Sequence, residues 1–244
     1  MPPVQIFCSD CTLSTPQENL ALDEALLDAA EDGETGETLR FWEPSDYAVV
    51  VGYANRVAAE VNLDYCLKAG IPVLRRCTGG GTVLQGPGVL NYTLILRVDS
   101  KGPTHSITST NHFVMDRQRE ALAGLLKREV QVRGHTDLAV DNLKISGNAQ
   151  RRKRDYLIFH GAFLLDLDLE LVERTLLAPT KQPDYRLNRS HTSFLLNLGC
   201  APADLKAALR HAWDSFTPLP EVPSQRVASL VRDKYSLDTW NLKF

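Results

Sequence analysis

RRCTGGGTVLQGPGVLNY, residues 75–92, places Arg75 and Arg76 before three consecutive glycines, Gly79, Gly80 and Gly81, and a Gly-Pro-Gly corner after them. Positions without a Cβ let the chain take positive φ and bring backbone N–H groups close to an anion. The two guanidinium groups suit forked contacts with phosphate or carboxylate. A tight turn with two solvated arginines is the plainer reading, and composition alone leaves both open. The common nucleotide loops do not match. No lysine follows the glycines, as GxxxxGK[ST] requires, and the stretch leads into VLNYTLILRV, a branched and alternating strand pattern, where GxGxxG leads into a helix.

The chain enters this loop from PVLRRCTG, itself a strand pattern, so the glycines are held between two strands. Upstream, VQIFCSD reads as a strand and TPQENLALDEALLDAAEDG as a helix bounded by Pro16 and Gly33. TLRFWEP and YAVVVGY read as strands whose Pro-Ser-Asp connection predicts a hairpin, and VNLDYCLKAG as a short helix closed by Gly70. Downstream, ITSTNHFVMDRQREALAGLLKREV is the longest helical pattern. VQVRGHTDLAVDNLKISG reads as a strand pair, YLIFHGAFLLDLDL as a buried strand, and DLKAALRHAWDSF and PSQRVASLVRDKY as helices. Strand runs interrupted by helices, without regular alternation, predict an α+β fold of mixed or antiparallel sheets packed with helices. The polar segment 177–194 is the candidate boundary, as a surface loop or a crossing segment. The tail beyond it is short for a second domain, so residues 1–244 read as one domain.

At 244 residues, with 43% hydrophobic and 23% charged residues and a net charge of −3, the chain has an ordinary globular balance that calls for neither nucleic acid nor membrane. No apolar run is long enough to cross a bilayer and the first residues lack a secretory pattern, so the expected location is the cytoplasm. The five cysteines, Cys8, Cys11, Cys66, Cys77 and Cys200, suit reduced thiols better than a disulfide framework. Cys8 and Cys11 form a CxxC, but no second CxxC or His pair completes a zinc set, and no protein-held metal is expected.

A second constellation lies in DNLKISGNAQRRKRDYLIFHG, residues 141–161. Lys144 precedes a Ser-Gly turn, a basic run follows Gln150, and His160 lies in the next strand. An inward Lys144 could stabilise charge on a reacting carbonyl or phosphate; lone strand lysines more often meet solvent.

Taken together, the two stretches resemble the lipoate-protein ligase branch of the biotin and lipoate ligase superfamily: the arginine pair, triple glycine and following Asn91, then Lys-x-Ser-Gly-x-Ala and the later His-Gly. The resemblance covers most of the chain and implies a class II ligase-like catalytic domain. Its members form an acyl-adenylate from ATP and a medium-chain acid such as lipoate, then pass the acyl group to a lysine of a lipoyl carrier domain. By resemblance Lys144 is the catalytic residue. Arg75, Arg76, Gly79, Gly80, Gly81, Thr82, Val83, Leu84, Asn91, Asp137 and His160 complete the adenylate site. Mg2+ accompanies ATP. Either Asp137 or Asp141 could orient Lys144, and His160 reads as a hydrogen-bonded pocket residue. Arg151, Arg152, Lys153 and Arg154 are expected to attract an acidic carrier surface.

Three departures shape the alternatives. Gln85 and Gly86 stand where a His-Asp pair often follows the glycines. The accessory C-terminal domain of many ligases is not expected here, which leaves open a separate accessory subunit. The neighbouring octanoyltransferases take octanoate from acyl carrier protein through a cysteine thioester, without ATP; no cysteine lies near Lys144 in sequence, and Cys77 is the nearest to the glycine loop. A non-catalytic module that holds lipoyl carriers is the remaining alternative outside the enzymes, and a biotin ligase ranks behind the other two enzymes.

Overall fold

The computed structural model describes residues 5–179 and 181–244. Strand β1 (Phe7–Asp10) leads to helix α1 (Pro16–Glu31), which starts in a capping box: the Thr15 hydroxyl accepts the Glu18 N–H and the Glu18 side chain returns to Thr15. Proline at its first turn and Gly33 (φ +77°) just past its end mark the two boundaries read from sequence. Strands β2 (Thr38–Trp42) and β3 (Ala48–Val51) come next, followed by α2 (Val57–Glu60) and α3 (Leu63–Ala69), the latter capped by Asn62 and closed by left-handed Gly70. Around the glycines run β4 (Val73–Arg75), β5 (Val83–Gln85) and β6 (Val89–Arg97).

Helix α4 (Ile107–Leu126) precedes β7 (Gln131–Arg133), β8 (Asp137–Val140), β9 (Leu143–Arg152) and β10 (Tyr156–Leu164). The expected strand pair at 130–147 is thus three strands. Asp141 and Asn142, both at positive φ, make the tight β8–β9 hairpin turn. Helices α5 (Leu169–Thr175), α6 (His191–Phe194) and α7 (Pro202–Trp213), the two-residue strand β11 (Thr217–Pro218), and helices α8 (Ser224–Leu230) and α9 (Asp238–Asn241) complete the order.

The large sheet runs β11-β1-β2-β6-β10-β9-β8-β7, and a small sheet runs β4-β3-β5. β1 pairs in parallel with β2 and β11, and β3 with β4; the other ladders are antiparallel. The hairpin expected between β2 and β3 does not form. β2 joins the large sheet through β1 and β6, whereas β3 joins β4 and β5. Every residue of TLRFW and AVVV is buried, so both strands need cover on two faces, which separate sheets supply and an isolated hairpin would not.

Alternation along the central strands sorts the two faces of the large sheet. Leu39 and Phe41 of β2, Leu90, Tyr92, Leu94 and Leu96 of β6, and Phe159 and Phe163 of β10 pack with Val114, Met115 and Leu122 of α4 and with Leu205, Leu209 and Trp213 of α7. The opposite face meets α1 and the small sheet, where Leu22, Leu26, Val50, Leu74, Ile95 and Ile158 share a second core. Arg40, Trp42, Asn91, Thr93 and His160 alternate with the first set, so the pleat turns these polar and amphipathic residues towards α1 and the glycine loop. Several described residues of segment 177–194, among them Pro179, Lys181, Pro183 and Arg186, line the space between the sheets. After it, Leu196 donates to the Lys144 carbonyl at 2.9 Å. No described helix is long and apolar enough to cross a membrane.

Candidate active site

Between the two sheets lies a cavity of about 720 Å3, lined from one side by the glycine loop and from the other by Lys144, Asp137, Asn148 and His160. Its size falls within the about 300–1,000 Å3 usual for small-molecule sites. Arg76, Gly80, Gly81, Thr82, Val83, Leu84, Asn91, Asp137, Lys144 and His160 all line it; Arg75 and Gly79 do not.

The arginine pair divides its roles. Arg75 is fully buried and turns away: its Nη1 donates to the carbonyls of Gly52, Tyr53 and Asn55 at 2.8, 3.1 and 2.9 Å, and its Nε to Trp240 O at 3.1 Å. It fastens the C-terminal helices to β4 and makes no contact with the cavity, contrary to its expected place in the adenylate site. Arg76 faces the loop. Its Nε donates to Thr78 Oγ1 at 3.0 Å and its Nη2 to the carbonyls of Gly79 and Gly81 at 2.5 and 2.7 Å. Burial lowers this guanidinium to about 10, still charged at neutral pH. With the carbonyls held inward by Arg76, a positive charge is built into the loop itself.

Gly80 takes φ +86° and a Cβ there would lie 2.9 Å from Arg76 Nη2, so both conformation and space require glycine. Around Gly79 and Gly81 a Cβ would meet nothing within 4 Å, which leaves those backbones open to close approach. The Gly-Pro-Gly corner has a different cause. A Cβ at Gly86 would lie 2.1 Å from the Tyr47 ring, and one at Gly88 would lie 2.1 Å from Asp166 O. That corner is packing; Gly80 and Gly81 are the loop glycines that face the cavity.

Lys144 enters from β9. A β-bulge shifts the β8–β9 register so that Leu138 pairs with Ser146 and Ala139 with Lys144. The lysine side chain lies over Gly147, where a Cβ would come within 2.8 Å of Nζ. Its ammonium pairs with Asp137 Oδ1 at 2.7 Å, and the lysine side chain as a whole stays one-quarter exposed. Asp141, the other candidate partner, is exposed and pairs with Arg128 at 2.5 Å. Asp137 is therefore the carboxylate that orients Lys144.

His160 Nε2 shares a 2.7 Å hydrogen bond with Thr78 Oγ1, and Nδ1 lies 3.2 Å from Asp23 Oδ2. Asp23 in turn pairs with the fully buried Arg40 at 2.5 Å. Burial pushes the Asp23 carboxyl up, but the Arg40 guanidinium and the His160 ring outweigh it and hold it below the ordinary range. The chain Arg40–Asp23–His160–Thr78–Arg76 braces the loop from behind. Gln85 and Asn91 lock side chain to side chain through two 2.8 Å amide hydrogen bonds. Glu60 binds the Thr82 hydroxyl and, at 2.7 Å, Asn55 Nδ2.

Asp23, Trp42, Glu60, Arg186 and His191 line the cavity without having been singled out in the sequence. Asp23 carried one signal, an acidic pair inside a largely apolar helix, although only the fold reveals that α1 is covered on two sides. Burial and the neighbouring Arg186 charge keep the His191 ring below the ordinary histidine range.

The cysteines stay outside the cavity walls, Cys77 included. Burial pushes the Cys77 thiol up to about 12, which makes it a poor nucleophile. Cys8 and Cys11 pack against different cores, so the CxxC forms no joint site. Among the described residues no cluster of three or more His, Cys, Asp or Glu side chains is arranged to hold a metal. The basic run after Gln150 is engaged within the molecule: Arg151 with Glu24 at 3.1 Å, Arg152 with Thr104 O at 2.7 Å, Lys153 with Asp28 at 2.8 Å and Arg154 with Asp155 at 2.9 Å. Arg154 nevertheless keeps most of its side chain in solvent, and Arg151 and Lys153 stay about one-third exposed.

A cleft between two sheets, with a glycine loop facing a lysine, defines an enzyme of the lipoate ligase and transferase class. Residues 15–200 match the family described as lipoyl protein ligase A/B catalytic domain, and the chain belongs to that family. An octanoyltransferase LipM of Symbiobacterium thermophilum is 30% identical over 93% of this chain and 94% of its own, and several further relatives share that name. Lipoate-protein ligase A subunit 1 of Thermoplasma acidophilum is 27% identical over 94% of each chain. A solved lipoate-protein ligase A bound with ATP superposes with a TM-score of 0.83 at 24% identity, covering 98% of both chains, a likeness of fold.

Proposed function

We propose that this protein transfers a medium-chain acyl group to a lysine of a lipoyl carrier domain, and that it activates lipoate or octanoate as an acyl-adenylate with Mg-ATP. One observation carries the ATP-dependent reading: a charged lysine faces a glycine loop across a cavity whose walls hold no thiol. An acyl-enzyme route through cysteine needs a thiolate beside the activating groups. The thiol nearest to them in sequence, Cys77, is buried with its proton held firmly.

In this reading the backbone of Gly80 and Gly81 receives the phosphate, and Lys144 contacts both phosphate and acyl carbonyl as charge develops there. Apolar walls from Leu20, Trp42, Val50 and Val83 take the hydrocarbon chain, at about 0.8 kcal/mol per buried methylene. Mg2+ enters on ATP, whose phosphates supply most of its ligands, as is usual for this ion; Glu60 is a carboxylate of this chain that lines the cavity. The Thermoplasma relative is by name a subunit, which supports a requirement for a separate accessory chain.

The second reading, octanoyl transfer from acyl carrier protein, is favoured by the LipM name shared among the relatives. Two reaction tubes separate the readings. One holds a lipoyl carrier domain with lipoate and Mg-ATP; the other holds the carrier with octanoyl-acyl carrier protein and no ATP. The mass of the carrier is then measured. A lipoyl gain in the first tube supports the ligase, a gain in the second alone establishes the transferase, and no gain in either, with an accessory subunit present, overturns both.

A further inference from the structure

Asp137 has two oxygens and two partners. Oδ1 holds Lys144 at 2.7 Å, and Oδ2 accepts a 2.9 Å hydrogen bond from the phenol of Tyr185. Tyr185 sits in the one-turn 3-10 helix Asp184–Arg186 of the crossing segment, far from β8 in sequence. Its ring is fixed independently of the hydroxyl: it lies 5.1 Å from the Phe194 ring and under the Arg133 guanidinium at 5.5 Å. Burial and the Asp137 charge push the phenol far above its usual value, so it stays a donor.

From this geometry we infer that Tyr185 is a positioning residue for Lys144, acting through Asp137. The inference rests on the catalytic reading of Lys144. By engaging Oδ2, the phenol stops the carboxylate from closing on the ammonium with both oxygens. One N–H of Lys144 is thereby directed to Oδ1, and the other two stay available to the cavity. Gly147 provides the space in which the ammonium rests in that orientation. The hydroxyl also pins the crossing segment to the carboxylate that aims the lysine. Seating of that segment and placement of the ammonium then become a single event.

The test is Tyr185→Phe, which removes the hydroxyl and keeps both ring contacts, alone and combined with Asp137→Asn. The first readout needs no substrate: competitive labelling of lysines with acetic anhydride, with Lys144 followed by peptide mass spectrometry. Without the phenol the carboxylate grips the ammonium harder, and Lys144 labelling is expected to slow by about threefold to tenfold, the range for one ordinary hydrogen bond. With Asp137→Asn already present, Tyr185→Phe is expected to change labelling hardly at all, because its effect is routed through the carboxylate. The second readout is carrier acylation with whichever acyl donor the wild type uses, where kcat falls by a similar factor and KM for the carrier stays. Unchanged labelling in Tyr185→Phe overturns the inference, and so does an equal effect in both backgrounds. If the wild type acylates no carrier with either donor, the functional reading falls while the labelling cycle still decides the positioning role.

Discussion

Replacing Gly147 by alanine asks whether the placement of Lys144 matters, without removing the lysine. An added Cβ would stand 2.8 Å from Lys144 Nζ, 2.9 Å from its Cε and 3.8 Å from Asp137 Oδ1. Ordinary contact begins near 3.5 Å, so the ammonium must retreat by about 0.7 Å. The obstacle is the end of a flexible four-carbon stem, and Gly147 has no positive φ to forbid alanine. Stability is therefore expected to change by less than about 1 kcal/mol, as for a substitution that a side chain can sidestep. Activity is not so tolerant: misplacement of a reacting group by about 1 Å can cost about a hundredfold. The expected loss in acylation rate at saturating donor is thus between about tenfold and a hundredfold. Initial rates come from carrier mass, and stability from a denaturant midpoint of the same preparation. A folded Gly147→Ala protein with wild-type turnover would refute the claim that this ammonium position is catalytic, and a protein that unfolds would refute the claim that only the side-chain end yields.

Lys144→Ala is expected to abolish carrier acylation while its Tm moves by less than about 4 °C, since the lost pair is partly exposed; measurable turnover removes the lysine from the mechanism. Gly88→Ala is expected to destabilise by at least about 2 kcal/mol, because φ is +87° and the new Cβ would meet Asp166 O at 2.1 Å; urea midpoints measure it. The carboxyls of Asp23 and Glu24 are both held below their ordinary 3.8 and 4.5, against the upward push of burial, by Arg40 and Lys234 respectively. Their stabilisation is complete above those ordinary values and is lost as pH falls through the depressed ones. Stability should therefore fall progressively as the pH drops below about 5, and Glu24→Gln should flatten part of that slope. Cys77→Ala is expected to keep most of the acylation activity; an acyl group found on Cys77 in the wild type, with loss of activity in the variant, would establish the thioester route instead.

Much of the fold was legible because its signals are local. Pro16, Gly33 and Gly70 bound their helices by chemistry that acts within a few residues, and the alternation of VLNYTLILRV fixed β6. The β2–β3 connection misled because a Pro-Ser-Asp turn specifies a change of direction and not the partner. Which sheet each strand joins depends on ladders to β6 and β4, 50 or so and 20 or so residues away. Arg75 and Arg76 show the same limit at the site. They are neighbours leaving a strand, so they point apart, and nothing local states which one faces the cavity. The answer lies in Trp240 and Asn241, which receive Arg75 from the other end of the chain.

The Gln85-Gly86 departure was legible as a difference but not as a structure. At position 86 a side chain is excluded by the Tyr47 ring, so a carboxylate could stand there only if Tyr47 were rearranged as well. At position 85 the amide is closed upon Asn91 in a neutral, reciprocal pair, and both residues are buried. The two changes therefore act together: one removes a charge that the local packing has no room for, and the other replaces a titrating ring by a group that needs no counter-ion. A graft of His-Asp at 85–86 should accordingly unfold this chain unless Tyr47 is reduced in the same variant, for example to alanine. Denaturant midpoints of the graft with and without Tyr47→Ala test this, and equal stability of the two would show that the corner is not shaped by that ring.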